Sequence, residues 1–239
     1  PVLKKIDYDI PHTVFSYIPN TAESSYFGLM EGFEEYLNER KAREISALIA
    51  SGETPSEERI HDILSCRIRS EKIAIKDAKL RTFITEDASR DDMVAHVYDV
   101  TYGVVRPQDN LVLIDDSIVR GTQLRETVDF LYSTGAAEVH MRSACPPIMY
   151  PCRYLNFSRG NSAMDLLARR MVQELEGNEG QKHLEEYADS GTERGKCLLH
   201  EICAQFGFDS LSYQSLDGLL EAIGIDRDKV CTYCWTGKE

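Results

Sequence analysis

The feature that most constrains the fold of this chain is the apolar run Leu111-Val112-Leu113-Ile114, which is followed at once by Asp115 and Asp116. Four consecutive apolar residues suit a central strand of a parallel sheet, because such a strand is buried on both faces. Helical spacing over residues 122–133, closed by Gly135, predicts a helix with a glycine at its C-terminal end. The sequence therefore predicts a strand–loop–helix unit.

The rest of the chain alternates between short apolar runs and segments with helical spacing. Further strands are predicted at residues 14–18, 72–75 and 138–144, helices at 21–50 and 56–71, charged peripheral helices over 161–205, and a short amphipathic helix around 216–223. Alternating strands and helices are typical of an α/β fold with a mainly parallel sheet.

Composition excludes several classes of protein. The 239 residues, of which 42% are hydrophobic, can bury one sizeable core. No apolar run approaches the ~20 residues that cross a bilayer, and no basic-then-apolar leader opens the chain. The formal charge of −13 disfavours nucleic acid as a partner. Seven irregularly spaced cysteines do not resemble the disulfide framework of a secreted protein, so we expect a cytoplasmic protein. Because no apolar run is long enough to span a bilayer, we expect no membrane partner.

The loop after the apolar run has the composition of a phosphate site. Its residues 117–122 can wrap a phosphate with backbone N–H groups and two hydroxyls, and the next helix adds the field of its N-terminus. Asp115 and Asp116 suit vicinal hydroxyls and Mg²⁺. The loop lacks the Gly-Lys-Ser/Thr ending of a nucleotide P-loop, which excludes that class of ATPase. A simple Asp-Asp-Ser helix cap is the alternative interpretation.

Residues 111–122 resemble the phosphoribosylpyrophosphate signature of type I phosphoribosyltransferases, and Asp-Asp-Ser-Ile-Val-Arg-Gly-Thr is similar to the form in glutamine phosphoribosylpyrophosphate amidotransferases. The resemblance covers about residues 15–238. It implies a sheet of about five strands flanked by helices. Residues 1–160 would form the core with a helical insertion around 38–70, and 161–239 would add C-terminal helices and a cysteine-containing tail packed on it.

The resemblance also implies site residues. Ile18-Pro19-Asn20-Thr21 resembles the pyrophosphate loop of the family, in which Thr21 would join Asp115 and Asp116 at magnesium. Lys76 and Arg81 match the flexible loop that closes over the substrate and are the implied catalytic residues, although residues 76–80 depart from its usual sequence. The implied substrate-binding residues are Pro19, Asn20, Thr21, Asp115, Asp116, Ser117, Ile118, Val119, Arg120, Gly121 and Thr122.

The tail carries Cys231-Thr232-Tyr233-Cys234, which by itself is compatible with half of a zinc site, a redox pair or two incidental thiols. Followed by Trp-Thr-Gly-Lys, it resembles the tail of family members that hold a four-iron four-sulfur cluster. The resemblance implies Cys152 as a third ligand and places the fourth upstream of this chain. A cluster is therefore expected in the full-length protein.

The implied activity is transfer of ammonia to C1 of phosphoribosylpyrophosphate, which gives phosphoribosylamine and pyrophosphate in the first step of purine synthesis. In the family ammonia comes from glutamine through an N-terminal glutaminase domain, which is expected to be absent from this chain. Two alternatives remain: a regulator that binds the same ligand without turnover, and a phosphoribosyltransferase acting on a free base. A homo-oligomer is expected.

Overall fold

A computed structural model describes residues 9–19, 21–52, 54–76, 98–100, 103–122, 124–133, 135–154 and 162–238, with backbone alone at 74–76, 98–100 and 126. Its strands are β1 (Thr13–Tyr17), β2 (Arg69–Ser70), β3 (Ala74–Lys76), β4 (Tyr98–Val100), β5 (Asn110–Asp115), β6 (Glu138–Ser143) and β7 (Ser210–Tyr213). Its α-helices are α1 (Glu23–Ala50), α2 (Glu57–Ser65), α3 (Leu124–Ser133), α4 (Leu167–Gly180), α5 (Leu184–Ala188), α6 (Glu193–Phe206), α7 (Leu216–Ile223) and α8 (Tyr233–Thr236).

Five of the strands form one sheet in the order β2-β1-β5-β6-β7, and every neighbouring pair is parallel. The predicted parallel α/β fold of about five strands is thus confirmed. Strands β3 and β4 form a separate antiparallel pair. No helix within the described ranges is long and apolar enough to span a membrane.

The two faces of the sheet carry separate cores because successive strand residues point to opposite faces. On one face Leu111, Leu113 and Met141 pack with α3, α4 and α6 in the larger core. On the other, Val112 and Ile114 lie with the first half of α1. Burying each such side chain contributes roughly 1.5–3 kcal/mol.

The helices predicted for residues 161–205 flank the sheet, and their inner faces are fully buried. Leu167, Met171, Leu198 and Ile202 are at most 1% exposed and belong to the larger core. The many charges of this segment lie on the outer faces of the helices. In the sequence, these charges make the apolar residues of the inner faces hard to recognise. This packing brings the start of α4 to the loop that follows β5.

Two of the predicted elements differ in detail from the structure. The helix predicted at 56–71 ends at Ser65, after which residues 69–70 join the sheet as its short edge strand β2. The strand predicted at 72–75 corresponds to β3, which pairs with β4 and not with the main sheet. The fifth strand of the sheet is β7, a four-residue segment with alternating burial that no apolar run marks in the sequence.

Candidate functional site

The two predicted ligand loops lie side by side at the carboxyl edge of the sheet. Strands β1 and β5 are parallel neighbours, with Tyr17 opposite Ile114. The Ile18 N–H donates to the Ile114 carbonyl at 2.9 Å, which extends the pairing into the loop after β1. Ligands of open α/β sheets bind at this edge, outside the carboxyl ends of the strands. The fold therefore places the start of the loop after β1, at Ile18 and Pro19, next to the end of β5.

The neighbouring carboxyls of Asp115 and Asp116 at the end of β5 interact with each other. Burial, together with a hydrogen bond and repulsion from Asp116, raises the pKa of Asp115 well above its usual value. The N–H groups of Asp116 and Ser117 donate to the Asp115 carboxyl and offset part of this effect. The carbonyl of Asp115 accepts from the Ala144 N–H at 2.8 Å, which ties the strand end to the loop after β6.

This donor set fits Mg²⁺. A divalent cation beside Asp115 and Asp116 would favour the ionised form of Asp115, because the cation offsets the repulsion between the two carboxyls. Across the described residues, no three His, Cys, Asp or Glu side chains are arranged to hold a metal ion. Magnesium usually takes one or two carboxylates and fills its remaining positions with water and phosphate oxygens, so two are enough.

The loop after the carboxyls turns three consecutive carbonyl groups toward the protein. The Val119 carbonyl accepts from the Leu167 N–H at 2.8 Å, and the Gly121 carbonyl accepts from the Leu124 N–H at 3.1 Å. The Arg120 carbonyl accepts from the Arg170 guanidinium at 2.6 Å. In a planar trans peptide the carbonyl and the following N–H point in opposite directions.

The N–H groups of Arg120, Gly121 and Thr122 are therefore directed away from these donors, at the N-terminal end of α3. Consecutive backbone N–H groups that point the same way can form an anion-binding nest, to which a helix N-terminus adds partial positive charge, so this loop is a candidate nest. Gly121 makes the turn possible, since its φ is +72° and a Cβ there would lie 3.1 Å from atoms of both Leu167 and Phe206. Backbone conformation and packing therefore both require glycine at this position.

The other predicted ligand residues are located as follows. Pro19 is buried and Thr21 is exposed, just before α1. The backbone of Lys76 ends β3, whereas Asn20 and Arg81 lie outside the described residues. One contact that the sequence did not predict is the bond from the Tyr17 hydroxyl to Glu23 at 2.5 Å, beside this loop; burial and Glu23 raise the pKa of Tyr17 to about 12.

The cysteine-containing tail docks on the segment after β6. The N–H groups of Met149 and Tyr150 both donate to the Cys234 carbonyl, at 2.9 and 3.0 Å. Burial, then Cys152 and then Cys231 raise the pKa of the Cys234 thiol. Such clusters normally need four thiolates, and the described residues contain no group of three His, Cys, Asp or Glu side chains arranged to hold a metal ion. A complete four-iron site therefore does not fit the described residues by themselves.

Sequence reasoning missed the two arginines at the start of α4. Arg169 donates to the Met149 carbonyl at 3.1 Å, and Arg170 donates to the Arg120 carbonyl. In the sequence they are two charges in a charged segment. The contacts join residues 20 and 50 positions apart, so no local pattern identifies them.

Several amidophosphoribosyltransferases are similar to this chain in sequence. No protein-family model matches the chain. The amidophosphoribosyltransferase of Methanocaldococcus jannaschii is 34% identical over 158 residues, which are 66% of this chain and 27% of that protein. Those of Bacillus subtilis and Archaeoglobus fulgidus are 34% and 37% identical over 163 and 161 residues, or 66% of this chain and 28% and 29% of each protein. The chain thus spans little more than a quarter of their length.

Solved structures show the same similarity. The glutamine phosphoribosylpyrophosphate amidotransferase from Bacillus subtilis, complexed with ADP and GMP, superposes with a TM-score of 0.56 and 28% identity, covering 95% of this chain and 37% of that one. A structure described as the allosteric regulatory enzyme of purine biosynthesis gives 0.53 and 26%, with the same coverage.

Proposed function

Because this chain is homologous to the phosphoribosyltransferase portion of amidophosphoribosyltransferases, we propose that it binds 5-phosphoribosyl 1-diphosphate with Mg²⁺ and transfers ammonia to C1. The products are 5-phosphoribosylamine and pyrophosphate, and in a longer protein glutamine would supply the ammonia. The observation that carries the proposal is the carboxyl pair Asp115–Asp116 joined to an outward N–H nest, beside the loop after β1.

Each loop has a distinct part in this proposal. The nest at Arg120, Gly121 and Thr122, with the hydroxyls of Ser117 and Thr122, binds the 5-phosphate. Asp115 and Asp116 orient the ribose hydroxyls and, with Thr21, hold the metal ion. When bound, Mg²⁺ supplies positive charge that stabilises the departing pyrophosphate.

Catalysis then rests on positioning and charge, without a nucleophile from the protein. The loop of Pro19, Asn20 and Thr21 holds the pyrophosphate. Lys76 and Arg81 are proposed to neutralise negative charge as it develops on the leaving group, because cationic side chains there stabilise the transition state more than the bound substrate. A transition state with positive charge at C1 is favoured by the nearby carboxylates.

Cys152, Cys231 and Cys234 are proposed as three ligands of an iron–sulfur cluster whose fourth thiolate comes from outside the described residues. We assign the cluster no step in the reaction. Its proposed role is to tie the tail to the segment after β6, where Cys234 already accepts two backbone hydrogen bonds.

The decisive test is pyrophosphate release with ammonium salts as the nitrogen source at alkaline pH. Release should require both Mg²⁺ and phosphoribosylpyrophosphate, and Asp116→Asn should abolish it. Glutamine should not replace ammonia in this chain. Ligand binding without any release would favour the regulator, and faster release with a purine or pyrimidine base than with ammonia would favour the free-base enzyme. Absence of both binding and release would reject the proposal.

A further inference from the structure

The peptide between Arg120 and Gly121 can reverse its orientation more easily than its neighbours. Such a reversal changes mainly the ψ of the first residue and the φ of the second. Glycine populates positive and negative φ almost equally, so the backbone preference of Gly121 does not by itself favour the observed +72°. A reversed peptide would point the Gly121 N–H inward and place a carbonyl oxygen in the anion nest.

The contact that opposes this reversal comes from α4. Arg170 donates through Nη2 to the Arg120 carbonyl at 2.6 Å and through Nη1 to the Asp165 carbonyl at 3.0 Å. The second bond anchors the planar guanidinium to the turn that precedes its own helix, and the rigid fork then holds the first donor in place. That turn is itself fixed to the loop, since the N–H of buried Leu167 donates to the Val119 carbonyl.

We infer that Arg170 is a positioning residue that fixes the Arg120–Gly121 peptide with its N–H toward the anion, so that α4 determines whether the loop can bind phosphate. The chemical class of the ligand, a phosphate monoester, rests on the proposed function. Arg170 itself does not contact the ligand in this arrangement. Arg170 would raise the affinity by increasing the fraction of molecules whose loop already holds the binding orientation.

Arg169 provides a matched control. It lies in the same helical turn, is also partly buried and has the same charge, but its guanidinium donates to Gln181 at 2.5 Å and to the Met149 carbonyl. Loss of charge or of stability in this turn should thus affect both variants, whereas loss of the loop contact affects Arg170 variants alone.

The experiment compares Arg170→Met, Arg170→Lys and Arg169→Met by calorimetric titration with phosphoribosylpyrophosphate and Mg²⁺. Arg170→Met should weaken binding about tenfold, because an enclosed carbonyl loses its donor. Arg170→Lys should recover most of the loss, since an ammonium group can still donate to this carbonyl. Arg169→Met should bind like the wild type. Equal losses in Arg169→Met and Arg170→Met, or wild-type affinity in Arg170→Met, would overturn the inference.

A second readout does not need the ligand. In protein labelled with ¹⁵N-glycine, the Gly121 amide signal is identified as the one missing from Gly121→Ala. It should shift in ligand-free Arg170→Met and stay in place in Arg169→Met, and an unchanged signal in both would overturn the inference. If the wild type fails to bind phosphoribosylpyrophosphate, the proposed function is rejected, whereas this signal still decides whether Arg170 sets the peptide.

Discussion

The loop at residues 115–122 and the cysteine-containing tail are held to the rest of the protein in different ways. The loop at residues 115–122 continues a central strand, and its carbonyls accept from α4 and from the start of α3. The tail at residues 231–238 docks through the Cys234 carbonyl and through ring contacts such as Arg153 over Tyr233 at 4.0 Å. The loop contributes Ile118 to the larger core, so we expect the tail to open locally more easily than the loop.

The largest expected difference concerns the metal. Removing Mg²⁺ with EDTA should lower the affinity for phosphoribosylpyrophosphate by roughly 100-fold, because the positive charge that attracts the diphosphate is then lost. Calorimetric titration with and without the chelator measures this. Tail variants such as Cys231→Ser should keep the metal dependence. Equal affinity with and without metal would contradict the assignment of Asp115 and Asp116.

Two glycines allow a direct comparison of global stability. Gly121 and Gly237 both have positive φ, +72° and +70°, and a Cβ on Gly237 would lie 2.7 Å from the Tyr150 ring. Gly121→Ala should cost about 2 kcal/mol in unfolding free energy, from left-handed strain and crowding in the core. Gly237→Ala should cost less than about 1 kcal/mol, since the tail can undock before the core unfolds.

Urea denaturation of both variants measures the two costs. A matched substitution at Gly52, which also has positive φ but open space around its Cβ, separates backbone strain from crowding. If Gly237→Ala destabilised the chain as much as Gly121→Ala, the tail would have to unfold together with the core.

The raised pKa of Asp115 predicts how stability depends on pH. The folded state of the metal-free protein binds this proton more tightly than the unfolded state. The unfolding free energy should therefore fall as pH rises from about 4 through the raised pKa, by about 1.4 kcal/mol for each pKa unit of the shift. Asp116→Asn should reduce this fall in part, because it removes the neighbouring charge and leaves the larger effect of burial in place. A wild-type profile as flat as that of the variant would contradict the coupling of the two carboxyls.

The smallest expected effect is a difference in thiol reactivity within the tail. Cys231 is exposed, whereas burial, Cys152 and Cys231 raise the pKa of Cys234. The thiolate is the reactive form, so iodoacetamide should modify Cys231 several-fold faster than Cys234. Peptide mass spectrometry after short exposure measures the ratio, with the exposed Cys197 as the internal control. Faster modification of Cys234 would mean that the tail is undocked in solution.

Much of the fold followed from patterns along the sequence. The apolar runs at residues 14–18 and 111–114 correctly predicted two central strands, because a strand buried on both faces is rich in apolar residues. The segment 138–144 correctly predicted the adjacent strand β6, although His140 and Arg142 lie within it. No strand was predicted at either edge of the main sheet. Strand β2 has only two residues, and half of the residues of β7 are polar. A short edge strand carries little burial of its own, so its pairing depends on neighbours that are distant in the sequence.

For the candidate site, the sequence by itself determined which chemical groups are available. The two carboxyls, the two hydroxyls and the glycine all lie between Asp115 and Thr122. The tertiary structure alone decided how that chemistry is presented. The packing of the strands brought Tyr17 beside Ile114. The packing of α4 allows Arg170 to donate to the carbonyl of Arg120, which lies 50 positions earlier in the sequence. The physical reason is that composition and helix-start signals act over a few residues, whereas the orientation of a peptide bond depends on whichever donor the packed core brings to it.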